Sequence, residues 1–155
     1  MNFKKFNEVA ELVGIVAIVA SLILLIIEIN SNSEATRAQV RQSTAEGFRQ
    51  ITLQFTADDK LRDLVLSDES YESLSRSDRD KIGAFSMAYI MTIEEAYLQW
   101  IDGYLDEELW LNRRNHGLWW LQQRRVREHW DNWQDSGWFT DQFMAAMNAE
   151  LEASK

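Results

Sequence analysis

Two histidines, His116 and His129, and two adjacent carboxylate pairs, Glu94-Glu95 and Glu107-Glu108, are the side chains whose types suit acid–base or metal chemistry. Their spacing does not suit it. A dimetal carboxylate bundle needs Glu three residues before His on facing helices. Here Arg113 stands three residues before His116, and Val126 three before His129. Adjacent glutamates near helix ends fit solvated faces and first turns, where acids complement the helix dipole. The chain has no Cys, which excludes thiolate ligands, cysteine nucleophiles and disulfides. It shows no phosphate-cradling glycine loop and no nucleophile motif. These residues predict no catalytic, cofactor-binding or metal site, and hence a non-enzymatic protein.

The segment RRNHGLWWLQQRRVREHW sets Arg113, Arg114, Arg124, Arg125 and Arg127 against one acid, Glu128. Indole and guanidinium groups both settle in the headgroup region of an anionic leaflet. Trp119, Trp120, Arg124, Arg125 and Arg127 are therefore candidates for contact with a membrane surface. The alternative is internal. On one continuous helix Trp119, Val126, Trp130 and Trp133 share a face and would form a core, with the arginines paired to the acid-rich 58–80 region.

The elements that hold these residues follow from composition. Net charge is −9 over 155 residues, which disfavours nucleic acid as a partner, since phosphate binding needs a basic footprint. With no Pro and 6 Gly, few positions force a break, and the chain reads as all-α. Six of the seven Trp lie between Trp110 and Trp138.

From Leu12 to Ile27 no residue is charged, and Ser21 is the single polar side chain. That run covers roughly 24 Å as a helix, and Val9 to Ile29 roughly 31 Å, close to the thickness of a hydrocarbon layer. The reading is a transmembrane helix over 1–30, with Glu11 and Glu28 reaching the headgroup zones. Lys4, Lys5, Ser31 and Ser33 would also fit a cleaved signal, but the run is long for one and continues as helix. Mean hydropathy of the whole chain is −0.36. No second run approaches membrane length, so a single-pass protein is expected.

Small residues line up through this helix. Ala10, Gly14, Ala17, Ser21, Leu24, Glu28, Ser31, Ala35, Ala38, Gln42 and Ala45 follow alternating spacings of four and three, a heptad seam. In lipid, close backbone approach along small side chains holds helices together, because bulk apolarity does not. The seam predicts a homo-oligomer, its interface formed by Ala10, Gly14, Ala17, Ser21, Leu24, Glu28, Ala35, Ala38 and Ala45. Glu28 either lines the mouth of that assembly as an ion site or snorkels to the interface.

Residues 31–57 read as a helical stalk with Phe48, Ile51 and Phe55 on one face. Residues 58–155 read as a soluble helical domain. Asp58-Asp59 open a short helix through Leu66. Ser77 with Asp80 resembles a capping box for a helix carrying Ile82, Phe85, Tyr89, Ile93, Tyr97 and Trp100, which Gly103 ends. LDEELW opens a helix expected to reach about Trp133, bent near Gly117. Thr140 caps a last helix bearing Phe143, Met147 and Leu151. The expected architecture is an antiparallel helical hairpin with extra short helices.

The stretches AELVGIVAIVASLILLIIEINSNSEATRA, EEAYLQWIDGYLDEELW and WWLQQRRVREHW resemble a set of small uncharacterised bacterial proteins with one N-terminal transmembrane helix and a helical, Trp-rich C-terminal region. The resemblance covers most of the chain and carries no catalytic motif. It implies a bacterial inner-membrane protein with its C-terminal domain on the cytoplasmic side. This chain departs from the pattern in having no Pro and in placing Glu28 where a Gln-like residue is expected. Lipid bilayer, other copies of the chain and a second membrane protein are the expected partners, and no cofactor is implied. The expected role is an assembly or interaction scaffold. The alternatives are a cation-conducting pore with Glu28 near its mouth and an accessory subunit of a larger membrane complex.

Overall fold

The computed structural model describes residues 3–67 and 69–154, with side chains from residue 11 onward. The fold is all-α. Six helices follow in order: α1 (Phe3–Ala57), α2 (Asp59–Leu66), α3 (Arg76–Ile101), α4 (Glu107–Leu121), α5 (Arg124–Trp133) and α6 (Asp141–Ala153). A short 3-10 turn, Tyr71–Ser73, precedes α3. No strand occurs among the described residues.

The chain divides into two compact units, 1–39 and 40–155. The described residues of the first are helix alone. Its most apolar 18-residue window has mean hydropathy 3.0, and none of that window is buried. By length and composition this helix can cross a membrane.

The second unit is built on an antiparallel hairpin of α3 and α4. Tyr97 meets Trp110 and Tyr89 meets Trp120, while Gly117 faces Ile93. Contacts that advance along one helix as they recede along the other fix the two as antiparallel. Gly103, at φ 76°, makes the turn between them. Such left-handed backbone is open to Gly without a Cβ penalty. α3 also packs on α2, α5 and α6. From the α1 segment of this unit, Phe48 reaches Tyr89, and Phe55 reaches Phe85 and Trp120. Ile82, Ile90, Ile93, Leu121, Val126, Trp130, Phe143 and Met147 are fully enclosed in the resulting core.

Local signals set most boundaries. The Asp58 side chain accepts from the Leu61 amide at 2.9 Å and starts α2. α3 begins two residues before the expected point: Ser75, not Ser77, is its cap, accepting from the Asp78 amide at 3.2 Å. Thr140 precedes α6 as expected, but its side chain makes no cap bond. Its amide donates to the Glu94 carboxylate at 2.6 Å instead.

One expected element is two. The helix from LDEELW does not run to Trp133. It ends at Leu121, and α5 starts at Arg124. Gly117 is not where it breaks. A Cβ there would lie 3.0 Å from Ile93 Cγ2 and 3.3 Å from Met147 Cε. The glycine is required by close helix packing, not by a bend.

Candidate functional site

The interhelical break changes which aromatic residues face inward. Trp120 is 1% exposed, stacked on Tyr89 at 4.6 Å and edge-on to Phe55 at 5.1 Å. Burial pushes the Tyr89 phenol up to about 12. Trp119, assigned to the core by a continuous-helix reading, is instead 47% exposed. Val126, Trp130 and Trp133 are buried on α5 as expected, and Trp130 Nε1 donates to Asn148 Oδ1 at 2.9 Å.

Of the five residues proposed to touch a membrane surface, Trp120 and Arg125 are interior, each 1% exposed. A side chain enclosed by protein is not a surface contact, and both are removed from that group. Trp119 and Arg124 are exposed and Arg127 is half-buried. Arg127 pairs with Asp131 at 2.9 Å. Arg125 is instead a clamp. Its Nε donates to the Glu69 carbonyl at 3.0 Å, Nη1 donates to the Leu64 carbonyl, and Nη2 lies 3.5 Å from the Glu69 carboxylate. Leu64 is in the last turn of α2, where carbonyls run out of intrahelical donors.

The seam residues Gly14, Ala17, Ser21, Leu24, Glu28, Ala35, Ala38 and Ala45 are all exposed. The Ala10 side chain lies outside the described residues. A Cβ on Gly14 would meet nothing within 4 Å. Ser21 satisfies its hydroxyl on the Ala17 carbonyl at 2.9 Å, which keeps that face smooth. Within the second unit Thr44 is buried while Ala45 is exposed. Ala45 therefore lies off the face that Val40, Phe48, Ile51 and Phe55 turn to the core.

His116 is exposed, with its ring 5.2 Å from that of Phe48. His129 packs edge-on to Tyr71 at 4.8 Å and stacks with Trp133 at 5.5 Å. A Cβ on Gly83 would lie 2.8 Å from its Cε1. Its Nε2 is buried without a hydrogen bond, and burial pushes the imidazole down from its ordinary value. The unfolded chain then takes up the proton more readily than the folded one. Stability is present above about pH 6.5 and is lost as pH falls below it. Replacing His129 with Leu is expected to flatten that loss in urea titrations followed between pH 7.5 and 5. An unchanged pH slope would refute the assignment.

Among the described residues no three of His, Asp or Glu converge as metal ligands. The feature that sequence reasoning missed is a cavity of about 330 Å³ between α3, α4 and α6. Tyr97, Trp100 and Trp110 form one wall, and Glu107, Arg114 and Glu150 supply its charges. Trp100 and Trp110 stack at 5.7 Å with 18° between planes, and Tyr97 stands edge-on to Trp110 at 5.3 Å. Arg114 donates to Glu150 at 2.7 Å. Tyr97 and Trp100 were legible as an apolar face of α3, but a shared cavity depends on which helices meet. In comparisons with known proteins, no family model, no curated protein and no solved structure matches this chain.

Proposed function

We propose that this chain is a single-pass membrane protein, anchored by the apolar part of α1, whose helical unit of residues 40–155 serves as an assembly or interaction platform. One observation carries the reading. The apolar window of α1 is wholly uncovered, while α2 to α6 bury most of their large apolar residues in a common core. Apolar surface of that extent is not left to water, and a helix satisfies its own backbone in lipid. Copies meet along Gly14, Ala17 and Ser21, whose small side chains permit close backbone approach.

Mass in a lipid nanodisc or mild detergent tests the assembly. The wild-type chain is expected to run as an oligomer. Gly14→Leu and Ala17→Leu are each expected to shift it toward a monomer, because a bulky side chain holds the backbones apart. Unchanged mass in both variants rejects this face as the interface.

A further inference from the structure

We propose that residues 70–74, between α2 and α3, form a strap on α5 that opens on acidification while the α3–α4 hairpin stays folded. His129 is its latch, and the ring meets three walls. Tyr71 of the strap stands edge-on at 4.8 Å, and Trp133 of its own helix stacks at 5.5 Å. Gly83 of α3 leaves so little room that a Cβ there would lie 2.8 Å from Cε1. Nε2 is buried and has no hydrogen-bond partner among the described residues. Protonation would put a charge in a dry site with no acceptor for its N–H, so the closed strap requires the neutral ring. The charged groups nearby do not supply that acceptor. Arg79 and Asp80 of α3 and Glu128 of α5 all act on the Tyr71 phenol. Arg79 lies over the Tyr71 ring at 5.7 Å, Asp80 stands 3.9 Å from Arg76, and Glu128 stands 3.8 Å from Arg124. Arg125 is committed to the Leu64 and Glu69 carbonyls, and Glu72 of the strap is exposed. Burial is what acts on the imidazole, and it opposes the charged form. The Tyr71 phenol, pushed up by burial, stays neutral throughout.

Of the three walls, the strap is the one that yields. α3 and α5 are fixed by enclosed residues, Ile82 and Ile90 on one and Val126 and Trp130 on the other. The 3-10 turn of the strap encloses none, and Tyr71 and Leu74 are half-buried. Low-stability elements of this kind open before the core does. Arg125 holds the chain at Glu69 and Ser75 caps α3, which confines release to the residues between them. Moving Tyr71 aside gives the imidazole water. It also uncovers the stack of His129 on Trp133, 6.2 Å from the already exposed Trp138. Opening returns His129 to its ordinary value near 6.5, above its value in the closed form. The open population therefore rises as pH falls below about 6.5, by at most about tenfold between pH 7.5 and 5.5.

The test is hydrogen exchange on the full chain in a maltoside detergent, with each rate divided by the intrinsic rate at that pH. The Ser73 and Leu74 amides, which donate to the Ser70 and Tyr71 carbonyls at 3.1 and 3.2 Å, report the strap. Amides of residues 82–97 in α3 report the hairpin. Strap protection is expected to fall about three- to tenfold from pH 7.5 to 5.5. The α3 amides are expected to stay at least about tenfold better protected than the strap at both pH values. His129→Gln removes the titrating group and is expected to abolish the pH response of the strap. Tyr71→Ala tests the latch without altering His129. By opening one wall to water it is expected to raise the His129 titration midpoint, read from the imidazole carbon–proton signal, toward the ordinary value. Four results overturn the proposal: strap protection that does not change with pH, strap and α3 amides sharing one protection at pH 5.5, a wild-type response in folded His129→Gln, or an unmoved midpoint in Tyr71→Ala. The wild-type exchange and the Tyr71→Ala midpoint decide the matter even where His129→Gln fails to fold.

Discussion

Arg125→Ala is expected to lower the unfolding free energy of the helical unit by about 3–5 kcal/mol, among the largest effects open to a single substitution. The side chain is 1% exposed and donates to two backbone carbonyls, Leu64 and Glu69. Truncation leaves both carbonyls without that donor, at about 1–3 kcal/mol for each that stays dry, and opens a void where the buried side chain stood. The Glu69 carboxylate contributes little to this sum, since it is 77% exposed and keeps its water. Two further variants separate charge from shape. Arg125→Met fills the space but donates nothing. Arg125→Lys keeps the charge but lacks the planar fork that reaches two carbonyls at once. The expected order of stability in urea, read by Trp emission, is wild type, then Lys, then Met, then Ala. An Ala variant within about 0.5 kcal/mol of wild type would show that α2 is held in some other way.

The same residue shows how far the sequence could be read. Arg125 sits in a basic run, and a run of arginines predicts a solvated or membrane-facing surface. Local pattern cannot reveal that one member of the run faces the carbonyl end of a helix some 60 residues earlier. Trp119 and Trp120 exchange places for a related reason. On one unbroken helix Trp119 is in phase with Val126, Trp130 and Trp133. The break at Gln122-Gln123 carries neither Gly nor Pro, so nothing in the sequence announces it. Gly117 offered such a signal five residues early and serves close packing against Ile93 and Met147 instead. By contrast, the α2 cap at Asp58, the α3 face through Ile93 and the α6 stripe of Phe143, Met147 and Leu151 rest on interactions within one or two turns. Those were legible. The cavity was not, because it belongs to no single helix: α3 gives the rings Tyr97 and Trp100, α4 gives Trp110 and Glu107, and α6 gives Glu150.

Two carboxylates in the middle of the apolar run are expected to release the chain from membranes altogether. Val19 and Ile23 are exposed, and at 100° per residue Val19 lies about 200° from Ala17, on the face opposite the small-residue stripe. Substituting both with Asp leaves the proposed helix contacts in place and acts on the lipid contact alone. A charged side chain at the centre of a span costs about 2.5–3.5 kcal/mol on insertion scales. The pair therefore costs about 6 kcal/mol, on the order of a 10⁴-fold change in partition. Flotation on a density gradient reads this cleanly, because membranes rise while aggregates sink. Wild type is expected in the floated fraction and the double variant in the load or supernatant. All seven Trp lie in residues 40–155, so their emission is expected to stay unchanged and reports that the helical unit remains folded. A double variant that floats with the membranes would mean that something other than the apolar part of α1 holds the chain there. If wild type stays behind as well, α1 is no anchor, and its uncovered apolar face must be closed by protein. The Gly14 and Ala17 variants separate these outcomes further, since they alter helix-to-helix contact while leaving the length and apolarity of the span intact.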